Sequence, residues 1–391
     1  MSDLILVGVF TGTRAEYGLL APLLRLIQQH DQLELHLIVS GTHLSHLHGY
    51  TIEHILADGF IPATQIETVL ASDSAQSISK ALALTIIDVG AELARSGCDY
   101  LVVLGDRFEA LAAATAALVH GVPIVHMHGG EASEGATDER FRHAITKLAD
   151  LHFVAGDEFA RRLRQMGEPE ERIFVCGPAV QDVLATLTTL DKDALERELG
   201  VDFKSPTALL VYHPATADNE DPAGALDQIL SGVFAAGIGL VLASFPNADE
   251  SSFEISKALR RHAQDDERIV TFTSVGQEIY LSLLRECDVL VGNSSSGIIE
   301  APLLGTPTIN VGSRQAGRPR ASSITDVAPL ASEIEAACRR AIGEGIGVGA
   351  AIDSPYRVGA SMAARVVEVL TSASDRPRRS KPFQDRMLVE E

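Results

Sequence analysis

Twice in this 391-residue chain a short apolar run ends in a tight polar turn that leads into a helical stretch. The first instance is Leu4–Val9 running into GTRAEYG, Gly12 to Gly18. The second is Val289–Val291 running into GNSSSGIIEAPLLGTP, Gly292 to Pro307. An uninterrupted apolar run of this length reads as a parallel strand buried on both faces. A strand that hands the chain to a helix N-terminus presents backbone N–H groups and the positive end of the helix dipole, which together hold a phosphate. The two turns therefore predict one diphosphate gripped from two sides, by Arg14 in one half and by hydroxyls in the other.

Further apolar runs recur at Leu35–Val39, Leu101–Leu104, Ile124–Met127, His152–Val154 and Ile173–Val175, separated by helical stretches such as Leu19–Gln29, Ser77–Ala94 and Glu109–His120. Such alternation predicts an α/β fold with an open parallel sheet wrapped by helices. The pattern loosens through the polar stretch Asp191–Ser205. It restarts at Ala208–Tyr212, Leu240–Ala243, Ile269–Phe272, Val289–Val291 and Thr308–Val311. We read two Rossmann-like, doubly wound domains, 1–178 and 179–358, with a cleft facing the carboxyl ends of both sheets. The last helical stretch, 359–372, could pack on either domain and is placed here on the first. Residues 373–391 are expected to form a mobile tail. GEGIGVG, near Gly343–Gly349, has the wrong spacing for a dinucleotide fingerprint and follows a helical stretch, so it reads as a loop.

Composition excludes several classes. With 53 acidic against 32 basic residues the net charge is −21, a surface that repels nucleic acid and anionic membranes. An anionic ligand must then be held locally, by a few arginines and backbone donors. The four cysteines, Cys98, Cys176, Cys287 and Cys338, are scattered without a CxxC pair, which argues against a disulfide framework or zinc knuckle. MSDLILVGVF lacks a basic leader and turns polar at Thr11, so it reads as a first strand and the chain as cytoplasmic. No apolar stretch approaches the ~20 residues of a membrane span.

The candidate chemistry sits at predicted strand ends. LGDRFEAL places Asp106 and Arg107 after an apolar strand, where Asp106 is either a working carboxylate or the cap of the next helix. HMHGGEASEGATDERFRHAITK concentrates His126, His128, Glu131, Glu134, Asp138, Glu139, Arg142 and His143 after the strand Ile124–Met127. Several carboxylates in one partly dry pocket separate their pKa values and supply an acid and a base together. His126-x-His128, or His43, His46 and His48, could also bind a metal; the polar site is better explained without one, and we assign no metal and no cofactor. In VYHPAT, His213 ends the first strand of the second domain. Ser294, Ser295, Ser296 and Gly297 are expected to open a helix at about Ile298 and to satisfy a phosphate. Glu300, one turn in, suits the vicinal diol of a ribose, and Arg314 supplies a second cation.

Taken in order, GTRAEYG, LGDRFEAL, HGGE…DERFRHAITK, the HP of YHP, FPN (Phe245–Asn247), GNSSSGIIEAPLLGTP and GSRQAGR span roughly residues 8–330. This series resembles the hydrolysing UDP-N-acetylglucosamine 2-epimerases, which supply N-acetylmannosamine for sialic-acid-type sugars. The resemblance implies a glycosyltransferase-B type fold, a nucleotide-sugar substrate and a homodimer or homotetramer. It implies that Arg14, His213, Ser295, Ser296, Glu300 and Arg314 hold the UDP diphosphate and ribose, with Asn247 on the nucleotide side. Asp106 and Asp138 match carboxylates implicated in the chemistry, and Glu131 lies in the same loop. Many relatives carry a glutamate in an HxEGG context where this chain has His128, so either His128 or Glu131 takes that role. The implied reaction eliminates UDP across C1 and C2 to a 2-acetamidoglucal, then adds water to release the epimerised sugar. The alternatives are the same reaction on UDP- or GDP-2,4-diacetamido-2,4,6-trideoxyglucose, a glycosyltransferase of the same fold, and a non-catalytic nucleotide-sugar binding module.

Overall fold

The computed structural model describes residues 4–70, 72, 74–132, 137–203, 206–214, 221–246, 252–272, 275–343, 352–357, 359–372, 381 and 384–385. The chain divides into two compact units. The first comprises Met1–Glu131, Asp138–Thr186 and Val358–Glu391, and the second Ala132–Thr137 and Leu187–Arg357.

The first unit is built on β1 (Ile5–Thr11), β2 (Leu33–Ser40), β3 (Thr64–Ile66), β4 (Tyr100–Leu104), β5 (Ile124–Met127), β6 (Leu151–Val154) and β7 (Ile173–Val175). They pair in the order β3-β2-β1-β4-β5-β6-β7, every pair parallel. Alternate residues of each strand feed opposite faces, as the two-residue period of a strand requires. Val7 and Val9 of β1 and Val102 of β4 meet Leu20, Leu24 and Ile27 of the helix Arg14–Gln29. Phe10, Leu101 and Val103 point the other way, onto Ala113 and Ala117 of Phe108–His120 and Val89 and Leu93 of Ala75–Ser96. Alanine at those helix positions lets helix and sheet approach closely. The helix Met362–Ser372 returns to the first unit, burying Val366 and Leu370 in the core of Arg14–Gln29. Its start is held by Asp182, whose carboxylate accepts from the Ala363 N–H at 2.8 Å.

The second unit carries β8 (Thr207–Val211), β9 (Leu240–Ser244), β10 (Ile269–Phe272), β11 (Val289–Gly292), β12 (Thr308–Val311) and β13 (Ile324–Val327). Their order, β10-β9-β8-β11-β12-β13, is again all-parallel. In both sheets the winding reverses between the first strand and its fourth, that is, between β1 and β4 and between β8 and β11. Open α/β sheets bind ligands outside the carboxyl ends of the strands at such a switch point.

Two strands, β3 and β13, were not expected. Each is the edge of its sheet, is short, and lacks a continuous buried run, so no apolar signal marks it. The tail also differs from expectation where it is described. Lys381 donates to the Ala149 carbonyl at 2.5 Å and ion-pairs with the fully buried Glu168, which also holds Lys147 at 2.7 Å. Gln384 donates its N–H to the Gly167 carbonyl at 3.2 Å. Apart from Lys381, Gln384 and Asp385 the tail residues from 373 on, and GEGIGVG beyond Gly343, lie outside the described residues. Among the described residues no helix is long and apolar enough to cross a membrane.

Candidate active site

The segments singled out from sequence occupy the two switch points. At the first, β1 delivers GTRAEYG and β4 delivers Gly105–Asp106–Arg107. Thr13 caps the helix Arg14–Gln29: its hydroxyl accepts from the Glu16 N–H at 3.3 Å, and the Glu16 carboxylate accepts from Gly12 N–H at 2.7 Å and Thr13 N–H at 3.2 Å. This reciprocal capping box starts the helix five residues before the expected Leu19. It also commits the N–H groups of Gly12, Thr13 and Glu16, while Arg14, the first helical residue, is half-buried.

Below that turn two carboxylates are buried together. Burial first, and then the neighbouring Glu109, push the Glu16 carboxyl up to about 8 against the opposing pull of Arg107 and the two N–H donors. Arg107 lies across Glu109, Nε to Oε2 at 3.2 Å. Arg107 also occupies the cap position of Phe108–His120, which removes the reading of Asp106 as a helix cap.

Asp106 pairs with Arg142 instead. Gly105 makes this possible: its φ of +78° turns the chain at the end of β4, where a side chain would be strained. Arg142 is almost wholly buried and its other terminal nitrogen donates to the Glu131 carbonyl at 2.9 Å. One guanidinium thus ties Asp106 to the segment of Glu131. Arg142 stands one helical turn beyond Asp138, which opens the helix Asp138–Leu148, so the two share a face. Glu131 is itself held, its carboxylate 2.6 Å from His128 Nδ1. Arg142 had been noted only as one of many charges in this stretch; the i, i+4 spacing from Asp138 was the signal that could have singled it out. Glu134 lies outside the described residues.

At the second switch point β8 ends at Val211, two residues before His213, and β11 leads through Asn293 into the serine turn. Asn293 joins them: its side-chain oxygen accepts from the His213 N–H at 2.7 Å and its amide donates to the His213 carbonyl at 2.8 Å. Gly292 lets the strands close, because a Cβ there would stand 2.0 Å from the Val211 carbonyl oxygen. The Asn293 carbonyl then accepts from Arg314 at 3.2 Å and Gln315 at 2.8 Å. Asn293 and Gln315 were missed, although Asn293 stands inside the GNSSSG motif.

The serine turn is not the start of a long helix. Ser295–Gly297 form one 3-10 turn, the α-helix begins only at Glu300 and ends at Leu304, and the Ser294 hydroxyl is spent accepting from the Ser296 N–H. Gly297 packs too tightly on Leu290 and Thr308 to admit a side chain. The dipole expected from a helix at Ile298 is therefore small. What the turn offers is hydroxyls: the buried Ser296 Oγ has no hydrogen-bond partner among the described residues. Glu300 and Arg314 are both half-buried. Asn247 lies outside the described residues.

The histidines weighed as metal ligands have other contacts. His43 is buried between the hydroxyls of Thr11 and Thr51, at 3.0 and 2.9 Å, and burial pushes its pKa down to about 4. His46 stacks on Tyr50 and His48 bonds Ser45. Among the described residues no group of three His, Cys, Asp or Glu side chains is arranged to hold a metal.

A sequence profile described as UDP-N-acetylglucosamine 2-epimerase matches residues 25–371. The chain belongs to this family. A GDP/UDP-N,N'-diacetylbacillosamine 2-epimerase (hydrolyzing) of Campylobacter jejuni is 34% identical over 319 residues, 81% of this chain and 83% of that protein. A UDP-N-acetylglucosamine 2-epimerase of Neisseria meningitidis is 33% identical over 316 residues, 80% of this chain and 81% of that one. The crystal structure of the Methanocaldococcus jannaschii UDP-GlcNAc 2-epimerase in complex with UDP-GlcNAc and UDP superposes with a TM-score of 0.77 at 18% identity, over 94% of this chain and 99% of that one. At that identity the likeness is one of fold, the glycosyltransferase-B type of this epimerase family.

Proposed function

We propose that this epimerase-family chain hydrolyses UDP-N-acetylglucosamine to N-acetylmannosamine and UDP, through a 2-acetamidoglucal. The observation that carries the reading is Arg142 holding Asp106 and the Glu131 segment together at the carboxyl end of the first sheet. A binding module gains nothing from carboxylates near an anion, whereas proton transfer at C2 requires them.

The C2 hydrogen is weakly acidic, so C1–O cleavage runs ahead and C1 acquires oxocarbenium character. Stabilising the departing diphosphate is then the larger task. We assign that task to Arg14, Arg107, His213, the Ser294–Gly297 turn and Arg314, with Glu300 on the ribose. The Ser296 hydroxyl, without a hydrogen-bond partner among the described residues, and the frame that Asn293 imposes on His213 support the assignment. Asp106 takes the C2 proton; Asp138 and Glu131 return a proton to the opposite face and activate the water that adds at C1. The C2–H electron pair becomes the C1=C2 double bond as UDP leaves with the C1–O pair, and the proton passes to Asp106. Water then adds across that double bond, its oxygen to C1 and a proton to C2. Exposed Ile87, Leu118 and Val119 support a homodimer or homotetramer, which light scattering would test.

A second reading has a specific support. The Campylobacter relative is named for a diacetylbacillosamine substrate, so a 2,4-diacetamido-2,4,6-trideoxy sugar on UDP or GDP competes with N-acetylglucosamine. Incubating the protein with each nucleotide sugar and no acceptor, then quantifying nucleotide and free sugar, tests both. Equimolar UDP and N-acetylmannosamine are expected. Turnover of the diacetamido substrate alone would transfer the assignment to it, and nucleotide release that depends on an added acceptor would make the protein a transferase.

A further inference from the structure

The segment HMHGG sets two histidines two residues apart, His126 inside β5 and His128 just after it, and their ring nitrogens are used in opposite senses. His126 is fully buried. Its Nε2 lies 2.8 Å from the Gly105 carbonyl oxygen, which can only accept, so Nε2 carries the hydrogen. Its Nδ1, 3.3 Å from the Thr146 hydroxyl, is left as the acceptor. Burial pushes the pKa of this imidazole down to about 3, consistent with a neutral ring. The Gly105 carbonyl belongs to the peptide that leads into Asp106, and the Gly105 N–H is tied to the Met127 carbonyl at 3.0 Å. With both sides of Gly105 held, the direction in which Asp106 leaves β4 is fixed.

In His128 the roles reverse. Its Nε2 receives the Ala179 backbone N–H at 3.0 Å, and a backbone N–H can only donate, so Nε2 is bare. The hydrogen is on Nδ1, which donates to Glu131 Oε1 at 2.6 Å. His128 also has a φ of +66°, in the left-handed region that few non-glycine residues occupy and that histidine tolerates better than most. That backbone turns the ring between Ala179 and Glu131.

We propose that both histidines of HMHGG are positioning residues locked in opposite tautomers, His126 as Nε2–H for Asp106 and His128 as Nδ1–H for Glu131, and that neither is the base. The inference rests on the reading that Asp106 and Glu131 carry the chemistry. It deepens that reading by giving His128 the task of orienting Glu131.

Side-chain amides test the assignment because their nitrogen can stand where only one ring nitrogen stood. Glutamine places it near the Nε2 position and asparagine near Nδ1. At position 126, His126→Gln should keep a kcat at least about tenfold above His126→Asn; at position 128 the order should invert, with His128→Asn above His128→Gln. KM should move by less than about threefold in all four. The same order at both positions, or no order, overturns the proposal. Since a buried variant can fail to fold, ¹⁵N spectra of histidine-labelled wild-type protein near neutral pH give a second reading. Nε2–H at His126 and Nδ1–H at His128 are expected, and any other pair of tautomers contradicts the inference. Asp106→Asn and Glu131→Gln separate the two levels. Full turnover in these variants would overturn the chemical reading whatever the tautomers, whereas lost turnover without the crossed order would overturn the positioning alone.

Discussion

The two switch points share a topology and differ in chemistry. At the end of β1 and β4 stand Glu16, Glu109 and Asp106 with Arg107 and Arg142, most of them buried and bonded to one another. At the end of β8 and β11 stand Asn293, three serines and Gln315, with Arg314 and Glu300 the charged groups among the expected ligands. The winding of a parallel sheet decides where a ligand sits, and the residues at the strand ends decide what happens to it. A bonded set of carboxylates suits proton transfer, and a neutral frame of amides and hydroxyls suits holding a diphosphate without competing for it.

The contrast can be broken or sharpened in order of expected effect. Asp106→Asn should lower kcat by about 10²–10⁴ while UDP affinity changes by less than about threefold, measured by steady-state kinetics and calorimetry. Weakened UDP binding with kcat intact would erase the division between the two sites. Arg314→Ala should lower kcat/KM by about 10²–10³ and weaken UDP binding with it. Asn293→Ala leaves the buried His213 N–H and carbonyl without their partner and should cost about 1–3 kcal/mol in urea unfolding. An unchanged midpoint would mean that Asn293 does not frame the second site.

The last prediction concerns the acidic floor of the first site. The Glu16 carboxyl is raised from 4.5 to about 8 in the folded protein, so between those values the folded state holds a proton that the unfolded state has lost. Glu16 therefore contributes full stability below about 4.5, and that contribution is lost as pH rises through 8. Glu16→Gln keeps an oxygen acceptor for Gly12 and Thr13 but cannot ionise. It should flatten the pH dependence and gain on the wild type as pH rises through that window, by about 1.4 kcal/mol for each pH unit. Equal pH slopes in the two proteins would remove the buried-proton account.

Much of the fold was legible in the residues, since interior parallel strands must be apolar on both faces. Leu101–Leu104 and Val289–Val291 stood out for that reason, whereas the edge strands β3 and β13, half-buried and three or four residues long, carry no such run. The capping box of Thr13 and Glu16 stands in the sequence as T-x-x-E, but the apolar repeat begins only at Leu19, where the sequence reading starts its helix. In the site, residue types at strand ends were readable but pairings were not. Nothing in LGDRF indicates that Asp106 meets Arg142, thirty-six residues on, rather than capping its own helix. Nor does HMHGG disclose which ring nitrogen of each histidine carries hydrogen, because Gly105 and Ala179 reach those rings only through the winding of the sheet.

The central claim is that this protein breaks the glycosidic link of a nucleotide sugar by removing and replacing the C2 proton. Proton NMR of a reaction run in D₂O without acceptor tests it most directly. The account predicts free 2-epimerised sugar carrying deuterium at C2, formed one for one with UDP. Free sugar that keeps its C2 proton and configuration would contradict it.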